Sequence, residues 1–147
     1  MKLTAFADFG LRALLVLAGS DRPTWSSADL ASRLAVSRDH LIKVLQRLTA
    51  GGYVQMTRGA GGGVRLARAP QDIRLGEVLA WLEDDPPLVE CFRADGGNCV
   101  LTGFCALRPR LARARQAFYT ELDAGTLADC VNPSLIQFAR TPLSPAD

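Results

Sequence analysis

Leu30-Ala31-Ser32-Arg33-Leu34-Ala35-Val36-Ser37-Arg38-Asp39-His40-Leu41-Ile42-Lys43-Val44-Leu45-Gln46-Arg47-Leu48 reads as two short helices separated by a turn. Ser26 or Ser27 can cap the first, Ala28 to Leu34, which presents Leu30, Ala31 and Leu34 on one side. Ala35-Val36 has room only for a tight turn, and Ser37 caps the next helix. There Leu41, Val44, Leu45 and Leu48 fall at i, i+3, i+4 and i+7, and Gly51-Gly52 ends the run. Opposite that stripe lie Arg38, Asp39, His40, Lys43, Gln46 and Arg47. The pattern suits a helix-turn-helix with a recognition helix, since Arg and Lys pair with guanine edges or phosphates and Gln with adenine. An ordinary amphipathic hairpin with a wet face has the same periodicity, so the flanking sequence must discriminate.

Downstream, Tyr53 to Arg58 and Val64 to Leu66 read as strands joined by Gly59-Ala60-Gly61-Gly62-Gly63. A hairpin directly after a recognition helix is a wing, and Arg58 and Arg65 flank its tip. The glycines are no phosphate loop, because Val64-Arg65 stand where Lys-Ser/Thr would follow. A dinucleotide fingerprint also fails: it needs a third glycine at Val64 and a helix starting there. Upstream, Phe6, Leu11, Leu14, Leu15 and Ala18 predict a helix from an N-cap at Thr4 to about Gly19. Beyond the joint Ala69-Pro70-Gln71-Asp72, Ile73 to Glu83 predicts a further helix, broken by Asp84-Asp85-Pro86-Pro87.

Periodicity then disappears and three cysteines follow, Cys91, Cys99 and Cys105, spaced C-x7-C-x5-C among Gly, Asp and Asn. Structural zinc wants four ligands with pairs two to four residues apart, and the single histidine, His40, lies on the expected recognition helix. A cysteine nucleophile wants a His base, which this half lacks. An iron–sulfur cluster accepts wider spacing and thiolate ligands. Iron–sulfur, zinc and plain buried or redox thiols all stay open on this chemistry, and Cys130, in a short apolar helix expected over Thr126 to Val131, reads as a buried small hydrophobe. Phe104, Leu107, Leu111, Ala114, Phe118 and Leu122 step by three and four residues, a near-heptad stripe expected to pack against a second copy of the chain, with packing back onto the first helix of the same chain the alternative. Pro133, Pro142 and Pro145 mark a tail expected to be flexible over 133–147.

Composition agrees with a globular protein. The 147 residues are 48% hydrophobic and 22% charged, which excludes a disordered chain. The net charge of +2 hides a division: residues 1–74 hold eleven Lys/Arg against five Asp/Glu, a balance of +6, and residues 75–147 hold six against ten, a balance of −4. Segregation of that kind points the N-terminal half at a polyanion. The longest apolar run, Ala13 to Gly19, is far short of the roughly 20 residues a membrane span needs. No signal peptide or membrane partner is expected, a cytoplasmic location is, and no constellation of catalytic groups is present to suggest an enzyme.

The chain resembles the Rrf family of iron–sulfur winged-helix regulators. The likeness rests on Lys2-Leu3-Thr4 with Asp8-Phe9-Gly10-Leu11-Arg12, on Val36 to Val44, on the wing from Arg58-Gly59 to Gly63-Val64-Arg65-Leu66, and on Ile73-Arg74-Leu75-Gly76-Glu77-Val78. It continues through the three-cysteine loop, Ala117-Phe118-Tyr119 and Thr126-Leu127-Ala128-Asp129, and covers the chain to about Asn132. The nitric-oxide-sensing repressor branch is the better match. The branch that regulates iron–sulfur assembly has a histidine ligand three residues after its third cysteine, where Arg108 stands here.

The resemblance implies a mainly α fold with a small β-hairpin: a winged helix-turn-helix over 1–83, a cluster loop over 84–106, and a dimerisation helix with a short helix over 107–132. It implies a 4Fe–4S cluster, with 2Fe–2S the lesser alternative, held by Cys91, Cys99 and Cys105 and by Asp8 of the partner subunit in a homodimer, with Glu90, Asp95 or a small thiol the alternatives to Asp8. It further implies a repressor that loses its two-fold-symmetric double-stranded operator when nitric oxide attacks the cluster. Ser37, Arg38, His40, Lys43, Arg47, Arg58 and Arg65 are the expected DNA-contacting residues. A general redox or iron sensor with a 2Fe–2S cluster, and a zinc-stabilised winged-helix regulator, are the alternatives.

Overall fold

The computed structural model describes residues 3–59, 61–84 and 87–142. Helix α1 (Ala5–Ala18) begins as expected at Thr4, whose side chain accepts from the Ala7 amide, and it buries Ala7, Gly10, Ala13, Leu14, Val16 and Leu17. That buried set covers more than one face because α2, α3, α4 and a C-terminal helix all pack on α1. Helices α2 (Ser27–Leu34) and α3 (Arg38–Ala50) are each started by a serine side chain, Ser26 accepting from the Asp29 amide and Ser37 from that of His40. Between them Ala35 turns the chain in the left-handed conformation, at φ 53° and ψ 45°. Leu41, Val44, Leu45 and Leu48 are all buried completely, as their spacing predicts.

Strands β1 (Val54–Thr57) and β2 (Gly63–Leu66) pair antiparallel, Val54 opposite Leu66 and Thr57 opposite Gly63. Trp25, ahead of α2, bridges to Val64 through two backbone hydrogen bonds of 2.9 and 2.7 Å and so ties that segment to the open edge of the two-stranded wing. Gly63 is required there, since a Cβ would stand 2.6 Å from the Trp25 carbonyl oxygen. Of the wing loop, Ala60 lies outside the described residues.

Helix α4 (Leu75–Glu83) closes the winged unit and ends at Asp84; Asp85 and Pro86 of the expected break lie outside the described residues. The cysteine segment contains only a single 3-10 turn, Glu90–Phe92, before α5 (Leu107–Asp123). Phe104, the first residue of the predicted stripe, precedes α5. The last turns of α5 pack on α4, with Phe118, Tyr119 and Leu122 against the core.

Cys130, expected to be buried, is half-buried, and two expectations of local structure also need correction. Thr126 to Val131 is no α-helix: only Ala128–Cys130 forms a 3-10 turn, because the segment first pairs with the chain ahead of α4 through Leu75 N–H to Gly125 O and Leu127 N–H to Ile73 O. Nor is the stretch after Asn132 a tail. Pro133–Arg140 is helix α6, capped by the Asn132 side chain accepting from the Leu135 amide. Pro133 occupies its first turn, where a missing N–H costs nothing. Ala139 is fully buried, Leu135 packs against Gly19, and Arg140 pairs with Asp21 at 3.2 Å. A proline read as a breaker was a start signal. Leu143 to Asp147 lie outside the described residues.

Candidate nucleic-acid interface and cysteine loop

The helix-turn-helix and the wing present basic side chains along one surface. On α3 Arg38, Asp39, Lys43 and Gln46 are exposed, as are Thr49 and Ala50 at its end. Arg38 Nε donates to Ser27 Oγ at 3.2 Å, which leans the guanidinium across the start of α2. The Ser37 hydroxyl, accepting from the His40 amide at 3.3 Å, keeps its own proton available for donation outward. From the wing, Arg58 is exposed beside the loop, and Arg65 donates Nε and Nη2 to Gln55 Oε1 at 3.1 and 2.8 Å. A groove of about 340 Å³ runs between the two units, lined by Ser27, Gln46, Met56, Thr57 and Arg58. Ser37, Arg38, Lys43, Arg58 and Arg65 are therefore accessible on the helix and wing that flank this groove.

His40 and Arg47 are turned elsewhere. His40 is half-buried against two phenylalanines of α1, and Arg47 reaches across to α4, with Nε and Nη2 donating to Trp81 O at 3.1 and 2.9 Å. Helical spacing marked them as lying off the apolar stripe, and nothing in the α3 sequence marks Phe9 or Trp81 as their neighbours.

The cysteine loop carries three free thiols, Cys91 buried and Cys99 and Cys105 half-buried. Among the described residues no three Cys, His, Asp or Glu side chains converge closely enough to hold one metal ion, so the three thiols stand apart in this conformation of the loop and the loop must close to bring them onto one cluster. The loop is organised by polar contacts. Asp95 receives Arg93 Nε and Nη2 at 3.0 and 2.7 Å and the Gly97 amide at 3.0 Å, and the Arg93 guanidinium, with Gly97 adding to it, holds its carboxyl below the usual range. Glu90 accepts from the Asn98 amide at 3.2 Å. Arg108, at the start of α5, points Nε and Nη2 at the Cys91 carbonyl from 3.4 Å and lies over Phe92.

Asp8 lies on α1 with its carboxylate 39% exposed, paired to Arg12 one turn on at 2.6 Å. The donor set fits an iron–sulfur cluster in kind: three thiols on one loop, none spent in a disulfide, and an accessible carboxylate elsewhere. It fits structural zinc less well, because the one histidine is packed on Phe9. Val100, Leu101, Phe104 and Leu107, around Cys105, are exposed apolar side chains, Val100 at 87% and Phe104 at 78%. None of the helices among the described residues is long and apolar enough to cross a membrane.

Comparison with known proteins agrees with this architecture. The model of the Rrf2 family, described as an iron-dependent transcriptional regulator, matches residues 3–133. The chain is 44% identical over 133 residues to the HTH-type transcriptional regulator NsrR of Bacillus subtilis, covering 89% of this chain and 90% of that protein. With the regulator of the same name from Geobacillus kaustophilus it shares 42% identity over 130 residues, 88% of each. Among solved structures, the B. subtilis global cysteine regulator CymR superposes with a TM-score of 0.71 at 25% identity, over 90% of this chain and 99% of that one. T. potens IscR superposes at 0.69 and 25% identity, over 88% and 85%. The chain belongs to the Rrf2 family of winged-helix transcriptional regulators.

Proposed function

We propose that this chain is a homodimeric DNA-binding repressor whose operator affinity is switched by an iron–sulfur cluster reacting with nitric oxide. The observation that carries the reading is the pairing, in one small fold, of an accessible basic helix-and-wing surface with a loop of three free thiols rooted between α4 and α5. The relatives' name, NsrR, and the iron-dependent description of the family support the same reading.

In this reading Lys43 and Arg38 enter the major groove while Arg58 and Arg65 bracket the adjacent backbone. Cys91, Cys99 and Cys105 hold the cluster from one chain, and Asp8 of the partner subunit completes its ligand set. When bound, a cluster held by these residues, proposed as 4Fe–4S, would supply iron able to react with nitric oxide. The chain's own residues do the rest. Asp8 gives up Arg12 to reach across the dimer, Arg108 steadies the Cys91 backbone, and the exposed apolar side chains from Val100 to Leu107 bury against the second copy. The switch is then a difference in operator affinity between two loop states.

The test begins with anaerobic purification. A brown protein with broad visible absorption supports iron–sulfur, iron and sulfide counts choose between 4Fe–4S and 2Fe–2S, and a colourless zinc-loaded protein refutes both. A duplex selected from a random-sequence pool by the purified protein is then titrated before and after stoichiometric nitric oxide. Equal affinity in the two states sinks the repressor switch.

A further inference from the structure

The recognition helix α3 is held along one flank by two of its own basic residues. In its first turn His40 lies edge-on to Phe9, ring centroids 5.2 Å apart, and tilted against Phe6 at 6.2 Å. Two turns later the Arg47 guanidinium stacks 4.1 Å from the centroid of Trp81. Its Nε and Nη2 donate to Trp81 O, Nη2 also reaches Asp84 Oδ1 at 3.0 Å, and Trp81 Nε1 returns a hydrogen bond of 2.9 Å to Arg47 O. Seven residues at 3.6 per turn leave the two side chains only about 20° apart around the helix. Lys43 and Gln46 occupy the exposed arc beside them.

The elements that supply these aromatic partners are themselves joined. Thr4, capping α1, donates its N–H and its hydroxyl to Glu83 Oε1, at 2.7 and 3.1 Å, on the last residue of α4. The flank of α3 thus rests on a braced pair of helices, touched at both ends of its length. Nε and Nη2 of Arg47 are taken by Trp81 O and Asp84 Oδ1, and turning them to a phosphate would release those contacts and uncover the indole.

We propose that His40 and Arg47 are positioning residues. They set the angle of α3 against α1 and α4 and leave DNA contact to Arg38, Lys43 and the wing. This rests on the reading of α3 as the DNA-contacting helix, and the control below separates failure of that reading from failure of the proposal.

The test measures binding of the purified dimer to the duplex it selects and to random duplex, across several salt concentrations, with melting temperature recorded for every variant. Lys43→Met, a lost phosphate or base contact, should weaken binding and flatten the salt slope by about one ion. Arg47→Lys keeps the charge but loses the fork and the stack, and Trp81→Leu changes no basic residue. Each should lose about tenfold in affinity for the selected duplex and narrow its margin over random duplex, with the salt slope unchanged. Together they should do no more harm than either alone. His40→Phe should bind within about twofold of the wild type and His40→Ala should not, since the ring and not its nitrogens makes the contact.

Full affinity in Arg47→Lys, or a slope flattened by about one ion in Arg47→Met, overturns the proposal for Arg47 in favour of a phosphate contact. Undiminished discrimination in the milder Trp81→Phe and in Trp81→Leu alike overturns the clasp. A Lys43→Met protein with wild-type affinity and slope removes α3 from the interface and the proposal with it.

Discussion

Asp123, the last residue of α5, caps α4: its Oδ1 accepts the Glu77 amide at 2.9 Å, close to a helix start whose own Arg74 makes no side-chain cap. Arg74 answers by donating Nη1 to Asp123 O at 3.0 Å. The two helices meet so closely that a Cβ on Gly76 would lie 2.3 Å from the Asp123 carboxylate. The end of the long helix is thereby stitched to the winged unit, and the cysteine loop is anchored at both ends.

Asp123→Ala should accordingly destabilise the chain by about 1–2 kcal/mol, the ordinary loss for an N-cap. Asp123→Asn should recover most of it, because an amide oxygen also accepts. Urea unfolding of both variants, read at constant m-value, checks this. An Asp123→Ala protein as stable as the wild type would show that the cap contributes nothing.

Ala35 adopts the left-handed conformation between α2 and α3 while carrying a Cβ. Ala35→Gly relieves that strain, worth about 1–2 kcal/mol, but widens the unfolded ensemble by about half to one. The expected net is a gain of up to about 1 kcal/mol, seen as a raised melting temperature, with α3 unchanged by circular dichroism.

Asp129 accepts the Thr126 amide at 2.7 Å and the Thr126 hydroxyl at 2.8 Å, and these hydrogen bonds, the amide's foremost, hold its carboxyl below the usual aspartate value. The folded state therefore favours the ionised form. The associated stability is present above the unfolded pKa of 3.8 and is lost as pH falls through the lower folded value. Thr126→Ala should move the Asp129 titration, followed by NMR, back toward 3.8. A midpoint that stays put would mean that the hydroxyl contributes nothing to the shift.

Cys99 lies outside the buried core, in the segment between the Glu90–Phe92 turn and α5. Cys99→Ala is expected to abolish visible absorption and the response to nitric oxide while the helical content and melting temperature of the cluster-free chain stay as they are. Retained iron and sulfide in that variant would remove Cys99 from the ligand set.

Several elements were legible because a local rule governs each. Serine before an i, i+3, i+4, i+7 stripe starts a helix wherever it stands, so α2 and α3 begin where Ser26 and Ser37 place them. Glycines between two short β-prone runs made the wing readable, and the Arg74 to Glu83 region was readable from its apolar face. The local rules failed where two of them conflict. Pro133 breaks a helix or begins one, and the choice was made by Asn132 beside it and by α1, which gives α6 a surface on which to bury Ala139. Thr126 to Val131 carries helical spacing, but its backbone is taken by Ile73 and Leu75.

Residue order and type were enough to read the helix-turn-helix, the wing, the thiol count of the loop and the charge division between the two halves. Which basic residues of α3 face outward became clear from packing alone. Periodicity separates the buried stripe from everything else, but it cannot rank the remaining positions, because their neighbours come from elements distant in the chain. Arg47 is 34 residues from the tryptophan that holds it, and Lys43, one turn earlier on the same helix, meets solvent. Packing between α3, α1 and α4 makes that distinction.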